Sequence, residues 1–152
     1  RICNAEIRDE DANLYVRACT RGHEGSPTTV HVSELEDVPD AITDMCMLDG
    51  RGMNSQRLTK RITEFVTHIG IEMQVVHGKR KIVRIVEYRY VNEGVFVTNL
   101  ALYDNSTAKW TFPGKLSHHA SRKVSKADEG CYSLLREHGF IEYDGKEGGL
   151  EP

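Results

Sequence analysis

Arg1-Ile2-Cys3-Asn4-Ala5-Glu6-Ile7-Arg8-Asp9 and, after one helical stretch, Gly22-His23-Glu24-Gly25-Ser26-Pro27-Thr28-Thr29-Val30-His31 decide the fold. Residues 1–7, mainly small or apolar up to Glu6, read as a buried strand. In residues 10–20, Ala12, Leu14, Tyr15, Ala18 and Cys19 recur at helical spacing, and Asp9 is placed to cap that helix. Gly22 and Gly25 open a loop, and residues 27–32, rich in β-branched side chains, return as a second strand. A strand, a helix and a strand within about thirty residues predict a parallel crossover unit, so the expected class is α/β.

Beyond this unit, Asp37 can cap a helix that tolerates Pro39 in its first turn and buries Val38, Ala41, Ile42, Met45 and Leu48, and Gly50-Arg51-Gly52 ends it. A third helix is expected over residues 55–66, with Leu58, Ile62, Phe65, Val66 and then Ile69 on one face and Arg57, Lys60, Arg61 and Glu64 on the other. The period then changes to two. Ile69, Ile71, Met73 and Val75 alternate, His77-Gly78-Lys79-Arg80 turns, and residues 82–90 run back as a β-hairpin. Residues 95–103 and 109–112 predict two more strands, 117–127 and 130–138 two more helices, and Gly139 a C-terminal helix stop. The expected organisation is a first unit at residues 1–91, a small α/β extension at 92–143 and a flexible tail at 144–152.

The bulk numbers exclude several function classes. With 152 residues, 39% of them hydrophobic, the chain can bury the core of one domain. A formal charge of -3 with 28% charged residues describes an ordinary soluble surface. Cations are scattered apart from Lys79-Arg80-Lys81 and Arg122-Lys123, so no nucleic-acid footprint is present. Apolar runs are too short to cross a bilayer and the first residues lack a signal-peptide core, which makes the cytoplasm the expected compartment. Cys3, Cys19, Cys46 and Cys131 lack the close spacing of a thiolate metal pair and are expected to be reduced, mostly buried thiols. Opening on Arg1 in what reads as a strand, the sequence is expected to be a piece of a longer protein.

Glu6 is expected at the carboxyl end of its strand, where parallel sheets place ligands. A carboxylate there can hold a magnesium hydration shell or polarise a water, while Arg8 can neutralise phosphate charge or brace Glu6. The same pair is equally a surface ion pair at a helix entrance. Gly22 and Gly25 let backbone approach a ligand, Ser26, Thr28 and Thr29 supply hydroxyls, and His31 on the neighbouring strand is expected near Glu6. A neutral imidazole donating to a γ-phosphate oxygen would sense bound nucleotide. His23 and His31 have an alternative in satisfying loop carbonyls or packing, and Glu6, His23 and His31 have another as metal ligands. His68, His77, His118 and His119 fall at expected solvent-exposed places and receive no catalytic role. Lys79, Arg80 and Lys81 read as an edge-strand device against β-pairing. No phosphate-cradling P-loop is present, because Gly78-Lys79, Gly114-Lys115 and Gly145-Lys146 continue with Arg80, Leu116 and Glu147 rather than Ser or Thr.

Residues 1–12 together with residues 22–31 resemble the Walker B segment and the histidine box of the secretion ATPase superfamily, the hexameric motors of type II and type IV secretion and of type IV pili. The likeness is closest to the CpaF-type ATPase of tight-adherence (Tad/Flp) pili. It continues in order through Asp40-Ala41-Ile42, the helix at 57–66, Lys81-Ile82-Val83-Arg84-Ile85-Val86-Glu87, Leu102-Tyr103-Asp104 and Gly114-Lys115-Leu116, and so covers residues 1–140. Asn4-Ala5 and Pro27 depart from the usual pattern.

The resemblance implies the C-terminal half of a RecA-like P-loop motor domain, with the P-loop and Asp box preceding Arg1. It implies that Glu6 is the Walker B glutamate, holding Mg2+ through water and activating the attacking water, that Arg8 completes a Glu-x-Arg, and that His31 is the box histidine near the γ-phosphate. Gly22, His23, Gly25, Ser26, Thr28 and Thr29 would shape the box around ATP. The parent would be a ring-forming ATPase, peripheral at the inner face of the cell membrane, that works on inner-membrane platform proteins to export pilin or another substrate. The chain alone would be inactive. The alternative is a non-catalytic, partner-binding remnant of the same fold.

Overall fold

Alternating apolar residues build the sheet on which the helices pack. The computed structural model describes residues 1–9, 11–50 and 52–141; the expected tail at 144–152, and Arg51 at the expected helix stop, lie outside the described residues. β1 (Ile69–Val76) and β2 (Lys79–Val91) form the expected antiparallel hairpin. His77 and Gly78 turn it with φ of 50° and 74°, the paired positive values that match strand twist. β2 turns again through Asn92-Glu93 into β3 (Gly94–Asp104), and β4 (Lys109–Thr111) closes on β3, as the strand pattern at 95–103 and 109–112 predicted. The sheet order is β1-β2-β3-β4, with every neighbouring pair antiparallel. The expected boundary at residue 91 falls in the tight turn between two paired strands of this sheet.

Five α-helices complete the described residues: α1 (Asp11–Cys19), α2 (Val38–Met47), α3 (Ser55–Phe65), α4 (His118–Ala127) and α5 (Glu129–Glu137). Side chains start three of them. Asn54 Oδ1 accepts the Arg57 N–H at 2.8 Å, Ser117 Oγ accepts that of Ala120 at 3.2 Å and Asp128 Oδ1 that of Cys131 at 2.9 Å. Asp9 and Asp37 are not the expected side-chain caps. Asp9 has a φ of 39° and uses its backbone carbonyl to accept from Ala12. Asp37 ends a 3-10 turn (Leu35–Asp37) that already has helical geometry and runs straight into α2. Gly139 is the expected stop: at φ 77° it donates to the Arg136 carbonyl while Phe140 donates to that of Leu135, which satisfies the last turn of α5.

The core lies between α1, α2 and α3 and one face of the sheet. Ala12, Tyr15, Val16 and Cys19, then Val38, Ile42 and Cys46, then Leu58 and Ile62 meet Ile7, Leu35, Val86 and Tyr88. Each large side chain buried there contributes about 1.5–3 kcal/mol. The phase of two stripes differs from expectation. Ala12, Tyr15, Val16 and Cys19 share a face of α1, and Leu14, roughly 200° from Ala12 at about 100° per residue, is 70% exposed. On α2, Thr43 takes an interior place by donating to the Pro39 carbonyl at 2.8 Å, while Leu48 is exposed.

The expected parallel ladder is not formed. Residues 1–7 and 27–32 are extended segments that run side by side in one direction without strand pairing. Asn4 N–H donates to the Pro27 carbonyl at 3.1 Å and Ile7 N–H to that of Thr29 at 2.9 Å. Pro27 has no N–H to return, which removes a bond that a regular ladder requires. The molecule is therefore mixed α/β, and its described sheet is antiparallel.

Candidate functional site

Ile7 sets the site. Its side chain is buried in the core and its N–H is held by Thr29, so Glu6 and Arg8, one residue to either side, project together from the extended segment. Arg8 Nη2 lies 2.8 Å from Glu6 Oε2, and His31, two residues beyond Thr29, places Nε2 at 3.2 Å from Glu6 Oε1. The hydrogen bond from the Arg8 guanidinium holds the Glu6 carboxyl below its usual range against desolvation, with the Arg8 charge and lastly His31 acting in the same direction, and Glu6 in turn raises Arg8. Glu6 is thus an ionised acceptor at neutral pH, flanked by one fixed cation and one imidazole. The Glu6 side chain is one-quarter exposed and that of His31 85% exposed, so solvent or a ligand reaches both.

The structure brings together Glu6, Arg8 and His31, and does not bring the Gly22–Gly25 turn to them. Gly22 and Gly25 take left-handed φ values of 107° and 73°. Ser26 is buried, donates Oγ to the His23 carbonyl at 2.6 Å and accepts the Ile2 N–H at 2.8 Å, while the Tyr15 hydroxyl donates to the Ser26 carbonyl. Thr29 Oγ1 donates to the Ala5 carbonyl at 2.5 Å, and Thr28 Oγ1 makes a long bond to its neighbour's carbonyl at 3.4 Å. His23 is exposed, and its backbone N–H bonds to the Ala18 carbonyl at 3.4 Å. Because the two segments run in the same direction, Ser26 lies beside Ile2 while His31 lies beside Glu6. At about 3.3 Å per residue, four residues separate the two ends by about 13 Å. The hydroxyls of Ser26 and Thr29 therefore hold the loop's own shape.

Two polar clusters carry residues given no role by sequence. Glu24, between the two glycines, pairs with Lys123 of α4 and lies 3.2 Å from His68 Nε2. His68, expected in solvent, is partly enclosed, with a side-chain exposure of 28%. The second cluster is built on Glu87 of β2, a buried carboxylate that accepts from the Ser117 N–H at 2.8 Å and the Ser117 hydroxyl at 2.5 Å. Neither left a local signal, since the partners stand at sequence separations of 99, 55 and 30 residues.

As a metal site, Glu6, His23 and His31 gain no support: among the described residues no group of three or more His, Cys, Asp or Glu side chains is arranged to hold an ion. A single carboxylate does fit a magnesium ion that keeps most of its waters. Among the described residues, no helix is long and apolar enough to cross a membrane. No family model matches the chain, and no curated protein matches it.

Proposed function

We propose that this chain supplies the magnesium-and-water side of an ATP-hydrolysing site in a motor of the secretion ATPase superfamily, of the kind that assembles tight-adherence pili. The observation that carries the proposal is the meeting of Glu6, Arg8 and His31, from two segments, around one solvent-accessible ionised carboxylate. Glu6 fits the outer shell of a hydrated magnesium ion, which supplies charge neutralisation to the phosphates when bound. Glu6 also orients the attacking water, and Arg8 keeps the carboxylate ionised and aimed. His31 spends its Nε2 on Glu6 in this arrangement, so donation to a γ-phosphate oxygen requires that contact to exchange; the histidine then couples phosphate arrival to the freedom of Glu6. The phosphate cradle comes from sequence other than these 152 residues. In this role the parent has a RecA-like motor domain, works as a homo-oligomeric, hexameric ring at the cytoplasmic face of the inner membrane, and drives pilin or another substrate through platform proteins.

In the full-length gene product, Glu6→Gln should lower Mg-ATP turnover by about a hundredfold or more, with nucleotide binding retained, as loss of a positioned base and electrostatic group does. Undiminished turnover overturns the proposal. A second role, a partner-binding remnant without hydrolysis, is favoured by the internal use of the Ser26 and Thr29 hydroxyls. It predicts that the wild-type parent neither binds nor turns over Mg-ATP.

A further inference from the structure

His68 is where three segments distant in the sequence meet. Its Nε2 lies 3.2 Å from Glu24 Oε1 of the Gly22–Gly25 turn, 3.2 Å from Lys123 Nζ of α4 and 3.0 Å from the Glu64 carbonyl at the end of α3. Glu24 and Lys123 are themselves an ion pair. His119, one turn before Lys123 on α4, adds positive potential when protonated, and the Glu64 carboxylate is turned to Lys60 at 3.8 Å. The main chain of His68 is fixed, because its carbonyl accepts the Tyr88 N–H at 3.0 Å.

One nitrogen cannot serve all three neighbours in both protonation states. In the neutral tautomer that carries its proton on Nδ1, Nε2 accepts from the Lys123 ammonium, and Lys123 bridges His68 and Glu24. Protonated, Nε2 becomes a donor to Glu24 or the Glu64 carbonyl and faces the Lys123 ammonium as a like charge at 3.2 Å. Glu24 then has two rival cations, one on α4 and one at the entrance to β1.

We propose that Glu24, His68 and Lys123 form a proton-operated latch, in which a proton taken by His68 from solvent transfers Glu24 from Lys123 to His68 and releases α4 from the Gly22–Gly25 turn. Its consequence for the nucleotide site rests on the function proposed above, since the turn leads through Ser26 and Thr29 to His31. Closed, the latch holds α4 against that turn; open, it leaves the C-terminal helices to their remaining contacts, among them Ser117 on Glu87 and Phe140 against Phe112. Burial and the nearby Lys123 both lower the His68 pKa, and the latch is accordingly closed at neutral pH.

The test follows the His68 ring and the α4 backbone amides of the 152-residue protein by NMR from about pH 8 to about pH 5, the range in which histidine titrates. Amide opening along α4 should quicken by about three- to fivefold as His68 gains its proton, the factor that an exposed ion pair is worth. Lys123→Met should raise the His68 midpoint, Lys123→Arg should restore it, and His68→Gln should remove the pH step while α4 stays protected. A His68 titration without a response in α4, or a midpoint unmoved by Lys123→Met, overturns the latch. If Lys123→Met does not fold, the wild-type titration and Lys123→Arg decide. These measurements use no nucleotide, so the latch can stand where Glu6→Gln leaves turnover intact, and fall where it does not.

Discussion

Glu93 occupies a backbone position that suits another residue. With Asn92 at φ 49° and Glu93 at φ 63°, the turn between β2 and β3 needs two left-handed residues, and only the first is of a type that tolerates it well. Glu93→Gly should relieve that strain and stabilise the protein by about 0.5–1 kcal/mol, part of the gain being offset by a looser unfolded chain. Gly70 is the opposite case. A Cβ there would stand 2.5 Å from the hydroxyl oxygen of Tyr88, whose ring is buried and whose hydroxyl donates to the Leu35 carbonyl at 2.6 Å. Gly70→Ala should cost about 1–3 kcal/mol, because the aromatic ring cannot move without breaking that bond or overpacking the core. Urea denaturation of the two variants reads both, and equal midpoints would contradict both assignments of strain.

At the scale of elements, α4 is held to the sheet by chemistry that no periodicity reveals. Glu87 accepts the N–H and the hydroxyl of Ser117, whose Oγ in turn accepts from Ala120, so a strand carboxylate completes a helix cap. Glu87→Ala should destabilise by about 1.5–3 kcal/mol, the range for hydrogen bonds to charged groups, with hydrogen exchange rising first in α4. Uniform loss of protection across the sheet would instead make Glu87 a general core residue. The contrast shows what local sequence carries. The amphipathic α3 is legible because one face of a repeating helix turns inward, whereas the period-two run Ile69, Ile71 and Met73 marks a strand without marking its buried face, since all three side chains are exposed. Leu14 is apolar but out of angular phase with Ala12, Tyr15 and Cys19, so its composition misleads where its position does not, and in the 1–7 and 27–32 segments β-branching signals extended backbone without supplying the N–H that Pro27 lacks. At the candidate site, the proximity of Glu6 and His31 followed from their neighbouring segments. The separate location of Ser26 follows from the same parallel direction, which sets the start of the second segment beside Ile2 and its end beside Glu6.

Across the whole molecule, these charged contacts make stability depend on pH in two stages. His68 is held below its ordinary pKa of 6.5, first by burial and then by Lys123. As pH falls below about 6.5 the unfolded chain takes up a proton that the folded chain resists, so stability declines until the folded histidine is itself protonated. Glu24 and Glu36 are held below their ordinary value of 4.5, chiefly by hydrogen bonds from Lys123 and Arg84 respectively. Their stabilisation is complete above that value and is lost as pH falls through the folded pKa of each. Asp104, lowered to about 2 by Ser106 and Thr107 in its turn, adds to the same acid side. Urea midpoints should therefore fall between about pH 7.5 and about pH 5.5 through the histidine, and again below about pH 4.5 through the carboxylates. His68→Gln should flatten the first stage and keep the second, whereas Glu36→Gln should shrink only the second. A wild-type midpoint that stays constant down to about pH 5 would show that His68 gains its proton equally well in the folded chain, and would remove the energetic basis for any response of α4 to acid.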